Sequence, residues 1–190
     1  MPNQANADVL NLPNQITIAR LILSVSVFVL IPLGYFWSAL VCFSIAAGTD
    51  WLDGYIARKY NLVTKLGRIL DPFADKFLIC GVFIYLAAEP TSGIAAWMAV
   101  VVVGRELLVT VIRSLLEAEG IDFSAKMAGK LKMVFQCGAV IASLLVLAMQ
   151  EPPVWLRGML TLFAWLAVVS TIYSGVGYVF EALRLVRSET

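Results

Sequence analysis

Long apolar segments alternate with short polar ones along the whole chain. Each apolar segment is about 20 residues long, the length at which a helix crosses the hydrocarbon core of a bilayer. Turn-forming residues such as Glu89-Pro90 and Pro152-Pro153 separate several of them. The pattern therefore predicts an all-α integral membrane protein with six transmembrane helices, at about residues 13–32, 37–58, 67–88, 94–116, 130–149 and 154–180.

Composition agrees with this class. Hydrophobic residues make up 61% of the 190 residues, against roughly 45–50% in a soluble domain. Six spans leave little length for anything else, so we expect one membrane domain covering residues 1–190. The third helix is expected to begin near Gly67 and to hold Pro72 in its first turn, where a missing N–H costs little.

Basic residues predict the orientation. Of the 14 Lys and Arg residues, all except Arg157 lie on or near the side that holds the N-terminus, residues 58–68, residues 113–132 and the C-terminus. By the positive-inside rule that side is cytoplasmic, and the membrane we expect is the plasma (inner) membrane. The basic residues do not gather on one face, so no nucleic-acid partner is expected.

Four aspartates stand where the second span ends and the third begins. Asp50 and Asp53 are spaced i, i+3, and Asp71 and Asp75 are spaced i, i+4, so each pair shares one face of a helix. Ionisable groups at membrane depth are expensive and usually functional. Two facing pairs would form an oxygen cage for hard divalent cations, and two such ions suit phosphoryl transfer.

Neighbouring residues fit the same chemistry. Gly54 and Ala57 lack bulk, so a nucleotide or diphosphate can approach the backbone closely. Arg58 can donate a charge-assisted hydrogen bond to phosphate, and Asp75 is a candidate general base. The chain contains no histidine, which excludes a Ser-His-Asp triad and a histidine zinc site.

The ungapped arrangement Asp-x2-Asp-Gly-x2-Ala-Arg-x8-Gly-x3-Asp-x3-Asp resembles the signature of the CDP-alcohol phosphotransferases. Its matching positions are Asp50, Asp53, Gly54, Ala57, Arg58, Gly67, Asp71 and Asp75. The resemblance implies that the four aspartates bind two Mg²⁺ or Mn²⁺ ions, chiefly through the first three, that Asp75 is the base and that CMP leaves. It also implies a homodimer with a cytoplasmic site, and CDP and phosphate contacts from Asp53, Gly54, Ala57, Arg58 and Gly67.

Further motifs resemble the family members that join CDP-diacylglycerol to sn-glycerol 3-phosphate. These motifs are Asn14-x2-Thr17-x2-Arg20, Gly104-Arg105-Glu106, Arg113 and Gly129-Lys130-x-Lys132-x3-Gln136. An acceptor that carries phosphate needs extra cations. We therefore expect the acceptor phosphate at Arg105, Arg113, Lys130 and Lys132, and head-group contacts from Asn14, Thr17 and Arg20. Met133 departs from the threonine common in these members.

Other interpretations stay open at this point. The same fold could use another acceptor, as a cardiolipin synthase of the CDP-alcohol type or an inositol-phosphate or serine transferase. A transporter would instead place charges near the bilayer midplane and show inverted repeats. Structural roles are also available: a snorkelling Arg20, an interhelical Arg105–Glu106 pair, membrane-edge anchors at Lys130 and Lys132, or aspartates paired with Arg58, Arg68 and Lys76.

Overall fold

The computed structural model describes the backbone of residues 12–60, 65–118 and 127–188. It describes side chains within those ranges except at 12–13, 50–60, 65–69, 71, 117–118, 127–130, 181 and 185–188. Over these ranges the regular structure is entirely helical, which confirms the predicted all-α fold for this part of the chain. The helices are α1 Leu12–Leu30, α2 Phe36–Tyr60, α3 Lys65–Ala88, α4 Ala96–Ala118, α5 Met127–Ala148 and α6 Val154–Ser188.

Most helix ends fall close to the predicted positions, but the end of α6 does not. The prediction stopped near Phe180, where the apolar run ends, whereas α6 continues to Ser188. Leucine, glutamate and arginine all have good helix propensity, so the helix continues after the sequence stops being uniformly apolar. Hydropathy marks the end of a span and not the end of a helix.

Pro72 requires a second correction. Because α3 begins at Lys65, Pro72 lies inside the helix and not in its first turn. Proline has no backbone N–H, so the carbonyl of residue 68 lacks its usual donor four residues along the helix. The interruption falls between Asp71 and Asp75, within the acidic stretch.

A glycine closes the C-terminal end of α1, before the chain continues into α2. Gly34 has a φ of 76°, its N–H donates to the carbonyl of Ile31 at 2.9 Å, and the N–H of Tyr35 donates to the carbonyl of Leu30 at 3.0 Å. This pair of bonds is the Schellman arrangement that closes a helix on a left-handed residue. Glycine adopts that conformation without steric cost.

The chain divides into two compact units, residues up to 85 and residues from 86 onward. In the first unit α1 packs on α2, around buried residues such as Val27, Ile31 and Phe43. The ring of Phe28 lies against α3, edge-on to Phe77 with centroids 5.1 Å apart. A Cβ at position 81 of α3 would overlap that ring, so the glycine there permits the close approach.

In the second unit both α4 and α5 pack on α6. Its 89–95 turn is fixed to α5, because the Ser143 hydroxyl donates to the Ser92 carbonyl at 2.7 Å. The Ser92 hydroxyl in turn accepts the N–H of Ile94 at 3.1 Å. Both serines are buried, so the turn's polar groups are satisfied away from solvent.

Two helices in the described part of the chain are long and apolar enough to cross a membrane, at residues 131–148 and 154–184. Shorter apolar helical stretches cover residues 14–30 and 36–49. Large apolar side chains also point outward, as Ile22, Val25 and Val29 do along α1. Outward apolar faces are typical of membrane or protein contacts, and the count of six spans stays a prediction.

Candidate functional site

The acidic signature lies on two consecutive helices of the first unit. The last turns of α2 carry positions 50, 53, 54, 57 and 58, and the first turns of α3 carry positions 67, 71 and 75. Five backbone steps join Tyr60 to Lys65, so these helix ends lie within about 18 Å of each other. Helical backbone at both segments supports the predicted sharing of one face within each aspartate pair.

Asp75 is the one signature carboxylate whose side chain belongs to the described set. It is half-buried and has an interaction partner. Among described side chains, no three Asp, Glu, Cys or His residues lie together. The side chains of Asp50, Asp53 and Asp71 lie outside that set, so the metal cage stays a prediction. The side chains of Ala57 and Arg58 also lie outside it.

The polar stripe of α1 faces inward. Asn14, Thr17 and Arg20 are 1%, 0% and 1% exposed, and the Ser24 hydroxyl continues the stripe by donating to the Arg20 carbonyl at 2.7 Å. A snorkelling arginine would keep its guanidinium in water, so that interpretation of Arg20 is wrong. A buried guanidinium needs polar or charged partners, and this face of α1 is where such partners can meet it.

A charged cluster joins the three helices of the second unit. Glu106 on α4 accepts a hydrogen bond from the Lys132 ammonium on α5, and its carboxylate lies 3.3 Å from the guanidinium of Arg105. Arg105 also donates to the Ser174 hydroxyl on α6, and its guanidinium carbon lies 5.3 Å from the ring centroid of Tyr178. The two cations thus share one carboxylate.

Burial makes this cluster more than a surface ion pair. The side chains of Arg105, Glu106 and Lys132 are 9%, 7% and 6% exposed. The interpretation of Lys132 as a membrane-edge anchor is therefore wrong, because an anchor would hold its ammonium at the lipid head groups. Electrostatic contacts are stronger in such a low-dielectric setting, and unpaired charges are correspondingly costly.

A second polar contact lies one turn along the same helices. The Gln136 side-chain amide donates to the Thr171 hydroxyl at 3.1 Å, and both side chains are buried. Gln136 follows Lys132 by one turn of α5, and Thr171 precedes Ser174 by about one turn of α6.

The predicted acceptor residues have different outcomes. Arg105 and Lys132 are brought together through Glu106. Arg113 lies two turns beyond Glu106 on α4 and is half-buried; its Nε makes no hydrogen bond in the described part of the chain, although the residue has another partner. Lys130 falls in the first turn of α5, and its side chain lies outside the described set.

The sequence offered Glu106 as a partner of Arg105, and this pair forms within α4 rather than between helices. The residues of α6 that hold Arg105 were not assigned from the sequence. Thr171, Ser174 and Tyr178 recur at i, i+3 and i+7, on one face of the apolar helix α6. Polar side chains on one face of a membrane helix usually point inward, so this spacing was the available signal. The pairing of Glu106 with Lys132 has no such signal, because it depends on how α4 and α5 meet.

Comparison with known proteins identifies the class. Residues 10–173 match the CDP-alcohol phosphatidyltransferase family. The chain belongs to this family, and the resemblance seen in the acidic signature is confirmed.

Particular relatives share one name. A Bacillus subtilis protein named CDP-diacylglycerol--glycerol-3-phosphate 3-phosphatidyltransferase is 39% identical over 195 aligned residues, covering 92% of this chain and 97% of the relative. Proteins of the same name from Rickettsia bellii and Yersinia pestis (strain Pestoides F) are 35% and 30% identical. Those matches cover 92% and 71% of this chain, and 96% and 77% of the relatives.

Proposed function

We propose that this protein transfers the phosphatidyl group of CDP-diacylglycerol to sn-glycerol 3-phosphate, producing phosphatidylglycerophosphate and CMP. The observation that carries the choice of acceptor is the buried pairing of Arg105 and Lys132 around Glu106. A phosphate monoester carries close to two negative charges at neutral pH. An acceptor with its own phosphate therefore suits a site with two buried cations, and serine does not. Among phosphate-bearing acceptors, the name that the relatives share favours glycerol 3-phosphate.

Metal binding is part of the proposal. Asp50, Asp53, Asp71 and Asp75 would hold Mg²⁺ or Mn²⁺, and the fit is chemical: carboxylate oxygens are the preferred ligands of hard cations, and here they come from two adjoining helix ends. Such ions, when bound, neutralise a diphosphate and polarise its phosphorus.

The protein's own residues position the reactants. Gly54, Ala57 and Gly67 leave room for the cytidine diphosphate beside the backbone, and Arg58 donates to its phosphates. Asp75 removes the proton from the acceptor hydroxyl. The hydroxyl oxygen then forms its bond to the lipid-side phosphorus as the bond from that phosphorus to the CMP oxygen breaks. The buried face of Asn14, Thr17 and Arg20 lies on the same unit as the signature and would contact the lipid head group.

The proposal for the membrane arrangement rests mainly on the apolar segments and the basic residues of the sequence. We propose that all six helices cross the inner membrane, that both termini and the acidic signature are cytoplasmic, and that the protein is a homodimer. Support comes from two helices with the length and hydropathy of spans and from the outward apolar side chains of α1. The basic residues on one side of the pattern support the orientation.

The deciding experiment measures CMP release from CDP-diacylglycerol by the purified protein in detergent. Glycerol 3-phosphate, phosphatidylglycerol, serine and inositol phosphate are compared as acceptors, with Mg²⁺ or Mn²⁺ supplied. We expect rapid release with glycerol 3-phosphate alone, and phosphatidylglycerophosphate as the lipid product. Faster release with any other acceptor would refute the proposed acceptor, and loss of release with a chelator, restored by metal, would support the metal requirement.

A further inference from the structure

Glu106 has a place in the fold that the proposed reaction does not yet use. Its carboxylate, 7% exposed, contacts the ammonium of Lys132 on α5 and the guanidinium of Arg105 next to it on α4. Adjacent residues of a helix point about 100° apart and do not normally face each other. The Glu106 carboxylate therefore keeps the Arg105 guanidinium of α4 close to the Lys132 ammonium of α5.

The arrangement orders long, flexible side chains. Lysine and arginine each lose up to about 2 kcal/mol of rotamer freedom when fixed, and two buried cations repel each other unless a counter-charge lies between them. Glu106 supplies that charge. On its other side Arg105 is held by the Ser174 hydroxyl and the Tyr178 ring, so the guanidinium is fixed at several points.

Glu106 does not use all the hydrogen-bonding capacity of Arg105. Arginine has five N–H donors; one terminal nitrogen of Arg105 faces Glu106 and the other donates to Ser174. Its Nε is buried without a hydrogen-bond partner in the described part of the chain. Buried polar groups are nearly always hydrogen-bonded, which indicates that an additional acceptor belongs at this guanidinium.

We infer that Glu106 is a positioning residue for the acceptor: it holds Lys132 and Arg105 so that the acceptor's phosphate meets both cations already in place. This inference rests on the proposed function for the identity of the acceptor. The carboxylate lies against both positive charges and offsets part of their repulsion, while leaving Arg105 donors for the phosphate. A preorganised site binds more tightly because ordering the side chains no longer opposes binding.

The test compares Glu106→Gln and Glu106→Asp with wild type. Gln keeps the shape and removes the charge, whereas Asp keeps the charge on a side chain one methylene shorter, which cannot reach both cations equally. Glu151→Gln, at an exposed position in the 149–153 turn, is the matched control for loss of one negative charge. The measurements are KM for both substrates, kcat, and the rise in unfolding temperature that glycerol 3-phosphate alone produces.

We expect Glu106→Gln to raise the KM for glycerol 3-phosphate by about ten- to a hundredfold, the range for losing a charge-assisted contact. The KM for CDP-diacylglycerol should change by less than about threefold, and thermal protection by glycerol 3-phosphate should disappear. Glu106→Asp should lie between Gln and wild type, and it keeps the test open if the Gln variant does not fold. The control should match wild type.

Equal increases in both KM values, or a lower unfolding temperature with unchanged KM and protection in Glu106→Asp, would overturn the inference and leave Glu106 a structural residue. A failure of the proposed function looks different. If wild-type protein prefers another phosphate-bearing acceptor, the assignment of glycerol 3-phosphate fails, and the same KM comparison with that acceptor still tests Glu106.

Discussion

Lys132→Met measures how much the buried contacts among Lys132, Glu106 and Arg105 contribute to the free energy of unfolding. Methionine keeps most of the apolar stem and removes the ammonium, so among the described side chains Glu106 retains one cation, Arg105, 3.3 Å away. Removing one partner of a buried pair costs about 3–5 kcal/mol when the other charge is left alone. Because Glu106 keeps one cation, we expect a loss of about 2 kcal/mol in unfolding free energy. Glu106→Gln removes the carboxylate that Lys132 and Arg105 share and should cost about 4 kcal/mol.

Combining Lys132→Met with Glu106→Gln in a double variant gives the coupling energy between the two residues. With both Lys132 and Glu106 neutral, Arg105 still has Ser174 and Tyr178, and the loss should be about 3 kcal/mol instead of the sum of about 6. The expected coupling of about 3 kcal/mol is at the top of the usual range for residues in contact. For a chain of this size each kcal/mol shifts the unfolding temperature by roughly 2–4 °C.

The assay is thermal unfolding of the four proteins in one detergent, followed by tryptophan fluorescence. The coupling should appear as a double variant about 6–12 °C more stable than additivity predicts. Losses that add within about 0.5 kcal/mol would mean that the two residues share no buried contact, and the reasoning about the cluster would be refuted. Glu151→Gln, exposed in its turn, should change stability by less than about 0.5 kcal/mol.

Three further predictions concern the reaction and the fold. Asp75→Asn should abolish CMP release while nucleotide binding, measured by thermal protection with CDP, persists; normal turnover would reject the base. Arg113→Gln and Lys130→Gln should each raise the KM for glycerol 3-phosphate more than that for CDP-diacylglycerol, and equal effects would argue against acceptor contacts. Ser143→Ala removes the buried hydrogen bond to the Ser92 carbonyl and should lower the free energy of unfolding by about 1–2 kcal/mol. The control is Ser44→Ala, because the Ser44 hydroxyl donates within its own helix at an exposed position, and it should leave stability unchanged. Equal unfolding temperatures for the two variants would contradict the prediction.

The helices were predictable because apolar length and turn residues mark them directly. The boundaries predicted at Glu89-Pro90 and Pro152-Pro153 coincide with breaks between helices in the structure. Pro72 was placed wrongly in the first turn because hydropathy does not locate the start of a helix whose first residues are polar. The end of α6 was missed for the same reason, since Arg184 and its neighbours continue the helix in polar sequence.

The sequence predicts the candidate site where its pattern is local and cannot do so where it depends on packing. Asp50 to Asp75 form one continuous pattern on adjoining helices, and their spacing alone indicated shared faces. Arg105 and Lys132 were predicted as cations that act together, and one alternative paired Arg105 with Glu106. The contact of Glu106 with Lys132 could not be found from spacing. That contact joins positions 26 residues apart, and no periodicity within one helix reports which faces of two helices meet.

The Gln136–Thr171 bond has a consequence for motion. Together with the Lys132–Glu106 contact one turn away, it sets the height of α5 against its neighbours at two successive levels. Sliding α5 by one turn, about 5.4 Å, would break both contacts at once, and a lipid surrounding offers no replacement partners. At the proposed acceptor site, widening by helix translation would therefore cost both contacts. Only side-chain torsions are left to accommodate a bulkier phosphate ester, which predicts a narrow range of acceptor sizes.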